Sequence, residues 1–315
     1  MQDPLAPFLA EAGVLVLDGG LATELEGLGL DLDHPLWSAR VLREAPEAIT
    51  AVHRAYLEAG ADCITTASYQ ATFEGFGREG LSHSEAVALL QRSVELATAA
   101  RDAFWSEARN RLGRRRPIVA ASIGPYGAYL ANGAEYTGEY DRSEAELLAF
   151  HRERFKVLAD TGADLLACET IPSALEASAL AKLLDQAPRT PAWFSFSCRD
   201  GEHVSDGTPF IDCIRALTPH PRIVALGVNC TAPRYVASLL RAAAAVTTKP
   251  LVAYPNSGER YDAATRTWLG TASAQDWGAS GQAWRASGAR LLGGCCRTGP
   301  GHVRSLRAAV VGSPT

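Results

Sequence analysis

At 315 residues and 47 % hydrophobic composition, the chain is long enough to bury one barrel-sized core or two ordinary ones. A net charge of −5 with scattered basic residues argues against nucleic acid as a partner, and the single cationic run, residues 111–116, reads as a solvated helix end. No apolar run reaches membrane-spanning length and no export signal is expected, so seven cysteines without disulfide-type spacing point to a reducing cytoplasm.

Eight short apolar or β-branched runs follow one another along the chain, at residues 14–20, 63–70, 118–125, 165–170, 192–198, 223–230, 251–256 and 289–296. Nearly continuous apolarity is the pattern of strands buried on both faces. Helical stripes fill the gaps. Residues 84–101 place Val87, Leu90, Val94 and Ala97 on one face, behind a Ser82-x-x-Glu85 capping signal. The same signal recurs as Ser143-x-x-Glu146 and Ser173-x-x-Glu176, and residues 232–246 and 301–311 read as later helices. Strand–helix alternation eight times over predicts a single (β/α)8 TIM-type barrel over residues 1–315, with a doubly wound open sheet as the alternative.

A barrel places its chemistry at the C-terminal ends of its strands. Those ends here carry Asp18-Gly19-Gly20, Ser68-Tyr69-Gln70, Glu169-Thr170, Asn229-Cys230, Pro255-Asn256 and Cys295-Cys296. Cys230 ends the sixth run and the Cys295-Cys296 pair ends the eighth, so a closed barrel brings them together. Neighbouring residues of a regular strand face opposite ways, and Gly293-Gly294 offers the freedom to break the strand so that both sulfurs share an ion. Three soft thiolates with a fourth position open suit catalytic zinc; buried packing is the competing reading. Cys63, Cys168, Cys198 and Cys213 read as core, with Cys168 and Cys198 in strand interiors.

The segments Gly227-Val228-Asn229-Cys230 and Gly293-Gly294-Cys295-Cys296-Arg297-Thr298-Gly299-Pro300 together resemble the zinc signature of the homocysteine S-methyltransferase family. The resemblance continues through Leu17-Asp18-Gly19-Gly20, Ala167-Cys168-Glu169-Thr170 and Tyr254-Pro255-Asn256-Ser257-Gly258, in order along the chain. One departure is Gly299, where the signature commonly has threonine; it touches a turn and not the ligands.

The resemblance implies one zinc ion held by Cys230, Cys295 and Cys296, with homocysteine and a sulfonium methyl donor as partners. It implies that Asp18 and Glu169 hold the amino group of homocysteine and that backbone amides near Gly19 take its carboxylate. Asn229 is a candidate to orient substrate. A cationic donor calls for aromatic faces, for which Trp37, Tyr136 and Tyr140 are the candidates. Betaine-using relatives typically carry tyrosine where this chain has Thr170, which favours S-methylmethionine or S-adenosylmethionine; betaine is the alternative donor. Competing functions are a metal-dependent hydrolase, disfavoured because no His-x-His pair sits at a strand end, and a non-catalytic zinc- or thiol-sensing barrel. A homo-oligomer is compatible with the sequence.

Overall fold

The computed structural model describes residues 3–32, 38–262, 267–270 and 276–311. Eight parallel strands form one sheet: Leu15–Val16, Cys63–Thr65, Ile118–Ile123, Leu165–Ile171, Ala192–Phe196, Ile223–Asn229, Leu251–Tyr254 and Ala289–Leu292. From the second strand to the eighth, each pairs with the next along the chain, and the eighth also pairs with the first, Leu15 opposite Leu291. The remaining seam closes through a Leu17–Cys63 bridge, with the Asp62 amide donating to Val16 O at 2.7 Å and the Asp18 amide to Cys63 O at 3.1 Å. Helices separate the strands, as parallel neighbours require. The chain is a (β/α)8 barrel.

Two apolar shells explain the unbroken hydrophobicity of the strands. Leu15, Leu17, Ile118, Ala120, Leu165, Ala167, Trp193, Ala225, Val252 and Leu291 fill the barrel interior, together with Phe8 of the N-terminal helix Ala6–Ala12 and Leu5 just before it. Their chain neighbours Val16, Val119, Ala121, Leu166, Cys168, Phe194, Leu226, Ala253 and Leu292 belong to the larger cluster under the helices. The period of two therefore survives, but both phases are buried. Carried one step further along the inward phase, it puts Thr65, Ser122, Glu169, Ser195 and Tyr254 at the C-terminal end of the interior.

The helix signals have mixed outcomes. Ser82 and Ser143 each form a reciprocal capping box, with Glu85 and Glu146, at the starts of helices His83–Ser106 and Glu144–Ala159. Ser173 caps helix Ala174–Asp185 by accepting from the Glu176 amide, but the Glu176 side chain turns away to other partners. Within the cationic run, Arg111 donates to Trp105 O and Ser106 O at 2.8 Å, covering the end of the long helix, and Arg114 donates to Leu57 O and Ala61 O at the end of Pro46–Ala59. Cys198 lies past the end of the fifth strand, at an isolated bridge to Val204, and not in a strand interior. An antiparallel hairpin, Arg260–Asp262 with Thr267–Leu269, is an insertion the apolar runs did not announce.

Gly227, in the sixth strand, has no room for a side chain: a β-carbon there would overlap the Val252 carbonyl of the neighbouring strand. Gly227→Ala is expected to cost about 3 kcal/mol or more through a forced shift of the sheet. Denaturant unfolding should show the loss, while a wild-type midpoint would disprove the contact.

Candidate active site

Three cysteine sulfurs meet at the C-terminal end of the barrel. Cys230 follows the sixth strand and Cys295 and Cys296 follow the eighth, and their ligand atoms all lie within 4.8 Å of one another. The sulfurs of Cys230 and Cys296 are 3.6 Å apart and those of Cys295 and Cys296 are 4.0 Å apart. Cys230 and Cys295 are joined as a disulfide, with α-carbons 5.5 Å apart. The sequence reading anticipated reduced thiols throughout; the one bond formed is between two members of the cluster itself.

The turn carrying Cys295 and Cys296 is held by backbone bonds. The Gly294 amide donates to Asp18 O at 2.9 Å, the Cys295 amide to Pro255 O at 2.8 Å and the Ser257 amide to Cys296 O at 3.2 Å. Gly293 and Gly294 do not supply a left-handed break, because neither has positive φ. They are needed for close approach: a β-carbon on Gly293 would meet Leu17 at 2.6 Å, and one on Gly294 would overlap Thr298.

Two buried carboxyls line the same open cleft as this cluster. Asp18 accepts from the Thr65 amide at 2.7 Å and from the Thr65 hydroxyl at 2.8 Å. Burial outweighs those bonds and lifts its carboxyl to about 7, with the nearby Glu169 adding to the rise. Burial also raises Glu169, against hydrogen bonds from Ser122 and Tyr254. The Tyr254 hydroxyl is itself fixed by Trp193 Nε1 at 3.0 Å and Ser195 Oγ at 2.6 Å, so a polar chain reaches from the barrel interior to Glu169. Thr65, Ser122, Ser195 and Tyr254 have no role assigned from sequence, although Tyr254 opens one of the segments that carry the resemblance; their signal is the inward phase of each strand, polar only at its last step.

The other candidates divide. Gly19 and Tyr136 line the cleft, and the Tyr136 hydroxyl lies 3.9 Å from Cys296 Sγ. Asn229 is fully buried behind it: its Oδ1 accepts from the Thr170 amide at 2.7 Å and its Nδ2 donates to Thr170 Oγ1 at 2.7 Å, with Cys295 Sγ at 4.0 Å. It acts on the backbone and a sulfur, not on the open cleft. Tyr140 is outside the cleft lining, and its hydroxyl donates to Glu176. Trp37 lies outside the described residues. Tyr69, Thr66 and Glu26 are lining residues that the sequence reading left without a role.

The family model for homocysteine S-methyltransferases matches residues 15–310. This chain belongs to the homocysteine S-methyltransferase family. Among its relatives, homocysteine S-methyltransferase YbgG of Bacillus subtilis is 54 % identical over 307 residues, covering 98 % of each chain. The Escherichia coli homocysteine S-methyltransferase is 50 % identical over 309 residues, again covering 98 % of each. The solved structure of the Escherichia coli homocysteine methyltransferase MmuM in its metallated form aligns with a TM-score of 0.87 at 46 % identity, covering 97 % of this chain and 99 % of that one. The oxidized form of the same protein aligns at 0.88 and 47 % identity, covering 98 % of this chain and 99 % of that one.

In this family member, backbone strain gathers at the same end of the barrel. Among the described residues, the non-glycine positions with positive φ are Ala131, Thr170, Cys230 and Arg297, at 52°, 60°, 45° and 64°. Three of the four belong to the strand-end turns around the sulfurs. Each costs about 1–3 kcal/mol, and Asn229 and the Thr23 hydroxyl, which accepts from the Arg297 amide at 2.9 Å, help hold two of them in place.

Proposed function

We propose that this family member is a zinc-dependent methyltransferase that moves a methyl group from a sulfonium donor, S-methylmethionine or S-adenosylmethionine, to homocysteine, giving methionine. The observation that carries the reading is the composition of one cleft: three converging cysteine sulfurs with the carboxyls of Asp18, Glu169 and Glu26, and no Lys, Arg or His among the described lining residues. Such walls favour cations, both an amino group and a sulfonium.

The donor set suits zinc. Tetrahedral thiolates at Zn–S distances of about 2.3 Å sit about 3.8 Å from each other, close to the separations of Cys296 from its two partners. Burial holds the Cys296 thiol up at about 12, so a divalent cation is the natural way to stabilise three thiolates here, once the Cys230–Cys295 bond is reduced. Cys230, Cys295 and Cys296 would hold the zinc, and its chemistry would be to keep a bound substrate sulfur deprotonated near neutral pH.

The rest of the chemistry is positioning. Asp18 and Glu169, locked by Thr65, Ser122 and Tyr254, grip the homocysteine ammonium, and amides at Gly19 face its carboxylate; the Gly20 amide is spent on Thr298 O at 2.9 Å. Asn229 fixes Thr170 and touches Cys295. The homocysteine sulfur forms its new bond to the methyl carbon as the donor's carbon–sulfur bond breaks, and the bonding pair leaves with a neutral thioether. Anion and cation both disappear, so a cleft with little water favours the step. Tyr136 and Tyr69 supply aromatic faces beside Cys296 for the donor. Thr170, tied to Asn229, gives betaine no aromatic wall.

Methionine formation from homocysteine should proceed with S-methylmethionine or S-adenosylmethionine and not with betaine. Betaine as the sole effective donor would replace the sulfonium reading, and no turnover with any of the three would favour a sensing barrel. Binding of product methionine, which has no thiol to ionise, isolates Asp18. Its ammonium needs the carboxylate, so affinity should rise with pH through about 7 and level off above it. A calorimetric titration series checks this, and Asp18→Asn should flatten it.

A further inference from the structure

The segment after the third strand is fastened to one buried carboxylate. Glu176, fully buried, accepts from the Tyr126 amide at 2.6 Å, from the Tyr140 hydroxyl and from His151 Nε2 at 2.7 Å. Arg154, also buried, donates to His151 Nδ1 at 2.7 Å and to Gly124 O. Burial and Arg154 hold His151 near pKa 4, so it stays neutral and passes one proton-donating contact to Glu176. Both ends of residues 124–140 are thereby pinned to a core network that the methyl-transfer chemistry does not use.

What this clamp presents is the single turn Ala134–Tyr136. The Glu135 backbone packs on Gly127 with no space for a β-carbon, and its carbonyl accepts from Ser197 Oγ at 2.8 Å. Its side chain is only 6 % exposed, and Oε2 has no hydrogen-bond partner among the described residues. A buried carboxyl with one oxygen unpaired and only its own backbone amide as a donor is costly and uncommon, and here the surroundings hold it in place. Its charge acts on Tyr69, Tyr136 and Cys296, all of which line the cleft. It is therefore next to the donor side of the site without being part of its wall.

We infer that Glu135 is the counter-charge for the methyl donor's cationic sulfur, acting from behind the Tyr69 and Tyr136 faces and setting the preference for a charged donor over its neutral thioether product. The inference rests on the sulfonium reading above. A fixed anion stabilises the donor more than the charge-dispersed transition state, because the cation fades as the methyl group moves. Removing it should raise the donor KM without lowering kcat, a split that loss of general structure does not give. The same charge lets go of the thioether once the sulfur is neutral.

The test is calorimetric binding to reduced, zinc-loaded protein at pH 8, where a carboxyl near 7 is ionised, for wild type, Glu135→Gln and the volume-matched Glu135→Met. Both variants should bind S-methylmethionine about tenfold more weakly and methionine within about twofold of wild type, with kcat undiminished. Wild-type affinity for the sulfonium in either variant overturns the assignment, as does an equal loss for methionine. Glu135-dependent binding without turnover would retain the subsite and reject the proposed reaction; turnover with unchanged binding in the variants would do the reverse.

Discussion

Replacing Cys296 with serine is expected to remove both the metal and the activity while leaving the fold intact. Cys296 is the one sulfur of the three outside the disulfide, and the Tyr136 hydroxyl is its polar neighbour beyond the other two sulfurs. Without it, two sulfurs remain within bonding distance of each other and can satisfy one another as a disulfide, so no ion is required. A serine hydroxyl is a hard, neutral ligand and a poor substitute for thiolate. The zinc content should fall from about one per chain to near zero and kcat/KM by roughly a thousandfold or more, since the substrate sulfur loses its means of deprotonation. The thermal midpoint should move by only a few degrees, because the turn is held by backbone bonds that the substitution spares. Metal analysis, steady-state kinetics and a melting curve on one preparation decide it. Full activity in the variant would exclude Cys296 from the site.

The second large effect belongs to the paired carboxyls. Asp18→Asn and Glu169→Gln keep shape and hydrogen bonding to Thr65 or Ser122 but remove one charge each. A hydrogen bond to a charged group contributes about 1.5–3 kcal/mol, so the homocysteine KM should rise roughly tenfold to a hundredfold in either variant. Zinc content should stay at wild-type level, which separates substrate grip from metal binding. The two carboxyls oppose each other's ionisation, so removing one lets the other ionise more fully and each single loss is partly offset: the double variant should exceed the product of the single effects. Multiplying effects would show that the two groups do not share one ammonium, and loss of zinc in either would place them in the metal site instead.

The eight strands were legible because both faces of each are buried, which writes an apolar run that no surface strand would show. The ends of those runs were less legible. Residues 17–20 continue the first run, yet the strand itself stops at Val16, because Asp18 turns to meet Thr65 and the Gly294 amide. The sulfur cluster could be found because cysteine at two strand ends is chemically conspicuous. Its supports could not. Thr65, Ser122 and Tyr254 sit inside strand-like runs and look like ordinary barrel residues until the register places them on the inner face beside Asp18 and Glu169. Glu176 was read as half of a capping box, since Ser173-x-x-Glu176 fits that pattern; only the fold reveals that its side chain is claimed by Tyr126, Tyr140 and His151 from distant segments. The partner of Tyr140 is hidden for the same reason: an aromatic near a glycine-rich loop says nothing about which way its hydroxyl points, and here it meets Glu176.

The account depends on three sulfurs from two strand ends sharing one ion that still has a place for the substrate's sulfur. Zinc-edge X-ray absorption on the reduced chain, without and with homocysteine, counts those sulfurs directly. Three sulfur neighbours at about 2.3 Å rising to four on addition of homocysteine is the expected result. A reduced chain that takes up no zinc, or a sulfur count that homocysteine leaves unchanged, contradicts it.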